Sequence, residues 1–107
     1  MNIKQIKYFL EIAECKSFSK ASVRVNIAQP ALSSQIKSLE VELGVTLLER
    51  HSRGVELTDM GSVVRNHFRK IIRDIEGTKQ LINNYINDPS GDVSIGITTT
   101  AARALVT

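Results

Sequence analysis

A short polar series between positions 29 and 37 holds the side chains best suited to recognising another molecule. The series consists of Gln29, Pro30, Ser33, Ser34 and Lys37. Between and after these residues, apolar side chains recur at steps of four, three and four: Leu32, Ile36, Leu39 and Leu43. That period predicts a helix with one buried stripe. A glutamine amide can make two hydrogen bonds to adenine, and small side chains let a helix approach base edges closely. The pattern therefore predicts a DNA-reading helix; the alternative is an exposed helix that happens to carry few acids.

Two further helices must position this one. Apolar residues on one face predict a first helix over Asn2–Glu14, with Asn2 able to cap its start. Ser17 is expected to cap a second helix from Phe18 to about Val25. A turn over 26–28 leads into the third helix, which Gly44 ends as a C-terminal cap. Two short helices joined by a tight turn predict a helix-turn-helix unit.

A basic hairpin is predicted after the third helix. An apolar run over Val45–Leu48 and an alternating segment over Val55–Leu57 flank a tip that carries Arg50 and Arg53. We interpret this hairpin as a wing whose arginines contact nucleic acid, and Gly54 as the residue that lets the tip approach a groove closely. The alternative is a solvated loop, since basic loops are common.

A long helix is predicted from Thr58 to Ile86, with Thr58 as its cap and Asp59 in its first turn. Its apolar positions follow the spacing of a coiled-coil seam: Val64, Phe68, Ile71, Ile75, Thr78, Ile82 and Tyr85. At 1.5 Å per residue such a helix is about 40 Å long, too long to bury its seam on so small a domain. The seam could pack on its own domain or on a second copy, and its length favours a homodimer.

Composition bounds the remaining possibilities. The 107 residues carry a net charge of +3, which permits nucleic-acid binding without demanding it. The single cysteine excludes an internal disulfide and fits a cytoplasmic protein, and no apolar run suits a membrane span or a secretory signal. Two distant histidines, no glycine-rich phosphate loop and no metal-ligand spacing argue against an enzyme, a metal site or a cofactor.

The block AQPALSSQIKSLEVELGVTLLER, followed by HSRGVELTDMG, a long helix and a strand, resembles the LysR-type transcriptional regulators over the entire chain. The resemblance implies a mainly α winged helix-turn-helix fold, with the third helix in the major groove and the wing at the minor groove or the phosphates. It also implies homodimers on imperfect inverted repeats of double-stranded DNA, and tetramers of full-length members.

The resemblance assigns site residues position by position. Base-facing sites fall on Gln29, Pro30, Ser33 and Ser34, and backbone or minor-groove sites fall on Gln35, Lys37, Arg50 and Arg53. Ala28 departs from a frequent serine and thereby removes a helix cap. Ser34 stands where arginine is frequent, so a preference for guanine is not inherited. Leu48 replaces a common phenylalanine, which we interpret as repacking.

The resemblance also divides the chain into a winged helix-turn-helix domain over 1–57, a dimerisation helix over 58–87, and a hinge with the first strand of a truncated effector domain over 88–107. The segment Ser94–Ile97 resembles the nitrogen-assimilation-control branch. By analogy, Thr98, Thr99 and Thr100 would lie near a small-molecule pocket, but only in a longer parent that completes the effector domain.

Two other functions remain open from the residues alone. A winged helix with a dimerising helix could serve as a protein-interaction module. Such a module is expected to show no duplex-DNA binding that weakens steeply as the salt concentration rises. A truncated dimer could instead compete with its full-length parent for sites without responding to an effector.

Overall fold

The computed structural model describes residues 1–87. Its elements follow in chain order: α1 (Ile3–Cys15), α2 (Phe18–Val25), α3 (Gln29–Leu43), β1 (Leu48–His51), β2 (Gly54–Leu57) and α4 (Asp59–Asn87). The chain divides into two units, Met1–Ile72 and Arg73–Thr107, and the second is described as far as Asn87. The predicted hinge, the strand predicted over Val93–Ile97 and the threonines at 98–100 lie outside the described residues.

Side-chain caps at the helix starts explain where these helices begin. The Oδ1 atom of Asn2 accepts a hydrogen bond from the amide of Gln5 at 2.8 Å, and Ser17 Oγ accepts one from the amide of Lys20 at 3.2 Å. Each bond satisfies an amide that lacks a partner inside its helix. Ala28 provides no such bond at the start of α3. The predicted caps at Asn2 and Ser17 are confirmed, and so is the uncapped start of α3.

The core of the Met1–Ile72 unit lies between α1, α3 and the start of the hairpin. Its largest fully buried side chains are Phe9, Ile12, Leu32, Leu39 and Leu47. The stripe predicted for α3 is therefore the buried face of that helix, with Leu43 only partly covered at its end. Burial of this stripe fixes the helix so that its other face points outward.

Phe68 differs from its predicted place in a dimer seam. Its ring is only 4% exposed within this one chain. It stands edge-to-face against the Phe9 ring, with 5.7 Å between centroids and an interplanar angle of 90°. A ring already buried in its own domain has no surface left to offer a second copy. The physical reason is that the first turns of α4 belong to the core, where Val64, Ile71 and Ile72 are also partly buried.

The hairpin pairs Leu48 with Leu57 and His51 with Gly54 in antiparallel register. Pairing thus starts at the end of the apolar run predicted to open the hairpin, because Leu47 turns inward to the core. Gly54 has a φ of +136°, and a Cβ there would lie 2.6 Å from the carbonyl oxygen of Lys16. The amide of Val55 also donates to that carbonyl, at 3.1 Å. Gly54 is therefore required where the hairpin docks on the end of α1, a role that the sequence did not indicate.

The start of α4 is tied to the loop before the hairpin. Thr58 Oγ1 accepts a hydrogen bond from the amide of Gly61 at 2.9 Å and donates one to the carbonyl of Thr46 at 2.6 Å. A Cβ at Gly61 would collide with the carbonyl oxygen of Leu47. The cap predicted at Thr58 is confirmed, and the same side chain also anchors the helix to its neighbour.

Candidate nucleic-acid interface

The outer face of α3 is open to solvent. The side chains of Gln29, Pro30, Ser34 and Lys37 are exposed, whereas Leu32 and Leu39 on the opposite side are fully buried. Within residues 1–87 none of the exposed polar groups on this face makes a side-chain hydrogen bond or an ion pair. Their donors and acceptors are therefore available to a ligand.

One flank of α3 is bonded to α1. The Nε2 atom of Gln5 donates to Gln35 Oε1 at 3.0 Å, and Gln5 itself is only 6% exposed. Further along the same flank, the Glu42 carboxylate contacts the N-terminal amino group of Met1. Gln35, predicted to touch a nucleic-acid backbone, thus also links two helices of its own chain.

The other flank of α3 is bonded to the hairpin through Arg50. The Nη2 atom of Arg50 donates to Ser33 Oγ at 2.6 Å. The same guanidinium lies over the Phe18 ring, 3.8 Å from its centroid, in a cation–π arrangement. Arg50 therefore joins β1, α2 and α3 with one planar group. Ser33 is half-buried beside it, unlike the exposed Ser34.

Glu40 is an acid on the hairpin flank of α3, close to the exposed outer face of this helix. Its Oε2 atom accepts hydrogen bonds from the amides of Leu47 at 2.7 Å and Leu48 at 3.2 Å. The carboxylate is thus directed at two backbone amides at the start of the hairpin. Two bonds from peptide groups partly offset its charge where a polyanion would approach.

The hairpin tip is shaped by a short local contact. The amide of Arg53 donates to His51 Nδ1 at 3.2 Å, while His51 Nε2 lies 3.7 Å from a Glu56 oxygen. Arg53 itself is exposed at the turn between the two strands. Among the residues that the structure describes, its guanidinium has no carboxylate within ion-pairing distance, and the same holds for Lys37 and Arg50.

Arg24 provides a contrast to these cations. Its Nη1 atom lies 2.7 Å from Glu11 and 3.7 Å from Glu14. The hydrogen bond that Arg24 donates to Glu11, together with nearby negative charge, raises the pKa of Arg24 above its usual value. The positive charge of Arg24 is thus matched within the protein. The cations beside α3 are available for an external anion.

A groove runs between α3 and the hairpin. Its lining consists of Phe18, Ser33, Ile36, Lys37, Glu40, Leu48 and Arg50. Sequence reasoning identified Ser33, Lys37 and Arg50 there, but it missed Phe18 and Glu40. The apolar period of α2 indicated that Phe18 is buried, and nothing local indicated that a cation covers its ring.

Over residues 1–87 no group of three or more His, Cys, Asp or Glu side chains is placed to hold a metal ion. No helix in the same range combines the length and apolar character needed to cross a bilayer.

Curated relatives are similar to this chain over most or all of its length. The nitrogen assimilation regulatory protein nac of Escherichia coli strain K12 is 40% identical over 107 residues, covering all of this chain and 35% of the relative. The HTH-type transcriptional regulator AlsR of Bacillus subtilis strain 168 is 42% identical over 96 residues, covering 90% of this chain and 32% of that protein. The chain thus spans about a third of the length of the curated relatives that it matches.

Solved structures share the fold. A complex of the BenM DNA-binding domain with benA site 1 DNA is 37% identical, with a TM-score of 0.75, and covers 78% of this chain and 98% of that one. A CbnR DNA-binding domain–DNA complex is 34% identical with a TM-score of 0.76, covering 80% and 99%. The profile described as "Bacterial regulatory helix-turn-helix protein, lysR family" matches residues 3–62. That match takes in all of α1, α2, α3 and the hairpin, and the chain belongs to the LysR family of bacterial regulatory helix-turn-helix proteins.

Proposed function

We propose that this chain binds double-stranded DNA sequence-specifically as a homodimer and acts in transcription regulation. The observation that carries the proposal is the outer face of α3, which is exposed, free of acids and held on both flanks by polar bonds. The solved DNA complexes of relatives over about four fifths of this chain support it. In this proposal α3 enters the major groove, and the hairpin reaches the minor groove or the phosphates.

The side chains of α3 divide by the chemistry they offer. Gln29, Pro30, Ser33 and Ser34 are proposed to face base edges, where an amide can pair with adenine and small groups permit close approach. Lys37 offers a mobile positive charge for a phosphate. Gln35 keeps its Nε2 donor available for the backbone while its Oε1 atom holds Gln5.

The hairpin cations complete the proposed interface. Arg53, exposed at the tip, is proposed to contact the minor groove or a phosphate. Arg50 is also proposed to contact the DNA backbone, although its hydrogen bond to Ser33 and its position over Phe18 restrain it. A restrained guanidinium presents its remaining donors in one direction, which suits a fixed phosphate position.

The proposed dimer uses the apolar side of α4. Ile82 is 47% exposed and Ile86 is 66% exposed, an unusual state for isoleucine. Ile75 and Ile82 are proposed as the centre of the seam, with Val64 and Ile71 contributing only their uncovered surface. A two-fold pair of reading helices matches an inverted repeat in the DNA, because operator symmetry mirrors protein symmetry.

The proposal extends to the whole protein. We propose a cytoplasmic regulator without catalytic activity, since transcription regulators such as AlsR are among its relatives. A small-molecule effector is proposed only for a longer form, in which residues 98–100 would lie near the pocket. The domain boundaries predicted at 57 and 87 remain part of this proposal.

Selection of bound duplexes from a random pool tests the function directly. We expect enrichment of an imperfect inverted repeat, and binding of the selected duplex that weakens steeply as salt is raised. A scrambled duplex of equal length and composition is the control. Failure to enrich any sequence, together with salt-independent binding, would instead favour a winged-helix module that binds other proteins.

A further inference from the structure

We propose that Arg50 presets the hydroxyl of Ser33 as a hydrogen-bond donor, so that this position of α3 reads acceptor atoms on the bases. The acceptors in the major groove are purine N7, guanine O6 and thymine O4. The inference rests on the proposed function and adds which base atoms the Ser33 side chain recognises. Arg50 acts here as a positioning residue for Ser33.

The direction of the Arg50–Ser33 hydrogen bond follows from chemistry. A guanidinium carries five N–H donors and no acceptor, so the Ser33 oxygen must be the acceptor in the 2.6 Å contact. A hydroxyl has one hydrogen and two lone pairs, and this bond occupies one lone pair. The hydrogen of Ser33 is thereby left to donate elsewhere.

Two other helical hydroxyls, those of Ser22 and Thr78, use that hydrogen internally. Ser22 Oγ donates to the carbonyl of Ser19 at 2.7 Å, and Thr78 Oγ1 donates to the carbonyl of Asp74 at 3.0 Å. Such bonds to the preceding turn are common for serine and threonine in helices. Within residues 1–87 Ser33 makes no bond of this kind. Its hydrogen is therefore free for a ligand, while its oxygen is held from behind.

The guanidinium is itself held in place. Phe18 lies under it and is only 6% exposed, so the ring is a fixed platform. Arg50 also pairs across the hairpin with Val55, which is 6% exposed and anchors the strand in the core. A positive group fixed 2.6 Å behind the Ser33 oxygen polarises the O–H bond and strengthens it as a donor.

The same charge discriminates against base amino groups. The N4 amino group of cytosine and the N6 amino group of adenine would have to direct their hydrogens at an oxygen that already faces a cation. Like-signed partial charges weaken that approach. Cytosine offers only a donor on its major-groove edge, so it is the base least suited to the position read by Ser33. Ser34 is the natural comparison, because it is exposed and has no arginine behind it.

The test uses the duplex selected for the wild-type protein and removes one base acceptor at a time. Substitutes are 7-deazapurines for N7, 2-aminopurine for guanine O6 and 5-methyl-2-pyrimidinone for thymine O4. Dissociation constants are measured by fluorescence anisotropy at one salt concentration. We expect one position in each half-site at which acceptor removal weakens wild-type binding about five- to tenfold, the range for one hydrogen bond.

Variants assign that loss to the Arg50–Ser33 pair. Ser33→Ala is expected to bind the parent and the substituted duplex equally, and Ser34→Ala is expected to retain the five- to tenfold loss. Arg50→Gln can accept the Ser33 hydrogen, so it should reduce the loss to below about twofold. Arg50→Lys, which still only donates, should restore most of it. Circular dichroism of each variant checks that the helices are retained, and the conservative Arg50→Lys variant serves if Arg50→Gln does not fold.

Three outcomes would overturn the inference. The Ser33-dependent loss could occur on removal of a base amino group instead of an acceptor, it could persist in full in Arg50→Gln, or it could vanish in Arg50→Lys. Each of these outcomes is compatible with sequence-specific selection of a duplex by the wild-type protein, so none of them contradicts the proposed function. Failure to select any duplex overturns both.

Discussion

Truncation of Phe68 separates stability of the domain from stability of the dimer. The ring is 4% exposed and stands edge-to-face on Phe9, both within one chain. Replacing a buried phenylalanine by alanine costs about 3–5 kcal/mol, because transfer free energy is lost and a cavity remains. The aromatic pair supplies about 0.5–1.5 kcal/mol of the interaction beyond its buried area. Phe68→Ala should therefore remove a large share of the unfolding free energy.

The expected change in melting temperature is correspondingly large. For a domain of this size each kcal/mol corresponds to roughly 4–8 °C, so Phe68→Ala should lower the midpoint by at least about 12 °C. Phe68→Leu keeps most of the volume and should cost clearly less, since a smaller void is left. The measurement is thermal unfolding followed by circular dichroism at a concentration low enough for the monomer to dominate.

Ile82→Ala is the matched control on the same helix. Ile82 is 47% exposed in the single chain, so its truncation should change monomer unfolding by less than about 1 kcal/mol. In the proposed dimer it should raise the dissociation constant about fivefold or more, as expected for a contact worth over 1 kcal/mol. Sedimentation equilibrium measures that constant. Wild-type unfolding of Phe68→Ala at low concentration, together with a loss of dimerisation, would place this ring in the dimer contact and not in the core.

Three further predictions concern the hairpin and the reading helix. Gly54→Ala should destabilise the domain by more than about 2 kcal/mol in urea titration, because its Cβ would meet the Lys16 carbonyl at 2.6 Å and φ is +136°; wild-type stability would exclude this contact. Arg53→Ala should flatten the slope of log K against log salt by about 1, with an unchanged slope counting against a phosphate contact. Gln29→Ala should cost about 1–3 kcal/mol on the selected duplex and little on a scrambled one; equal losses on both duplexes would argue against base recognition.

Local chemistry made much of this fold predictable. Asn2 and Ser17 cap helices through bonds to amides three residues away, so their roles depend on neighbours visible in the sequence. The buried stripe of α3 follows from a period that any amphipathic helix shows. The predicted winged helix-turn-helix fold is accordingly confirmed in its helices and hairpin. What decides these features lies within a few residues along the chain.

The remaining features depend on partners distant in sequence. The apolar spacing around Phe68 shows that one face of α4 is buried, but not whether a core or a second copy covers it. Gly54 signals an unusual backbone, and only the position of the Lys16 carbonyl explains why a side chain cannot be accommodated. Arg50 and Ser33 are 17 residues apart, and no local rule pairs them. The sequence therefore predicts a contact between Arg50 and the DNA backbone, but it does not predict the hydrogen bond from Arg50 to Ser33.

The contacts around α3 also suggest why polar bonds accompany the apolar core here. Apolar packing of Leu32 and Leu39 holds the helix against the domain, but dispersion contacts are individually weak and not directional. The bonds from Gln5 to Gln35 and from Arg50 to Ser33 act on opposite flanks and constrain rotation of α3 about its own axis. A rotation of one helix relative to the duplex would move every base-facing side chain together. The polar bonds on its two flanks therefore help to determine which atoms of α3 face the duplex. The apolar core chiefly determines where the helix lies on the domain.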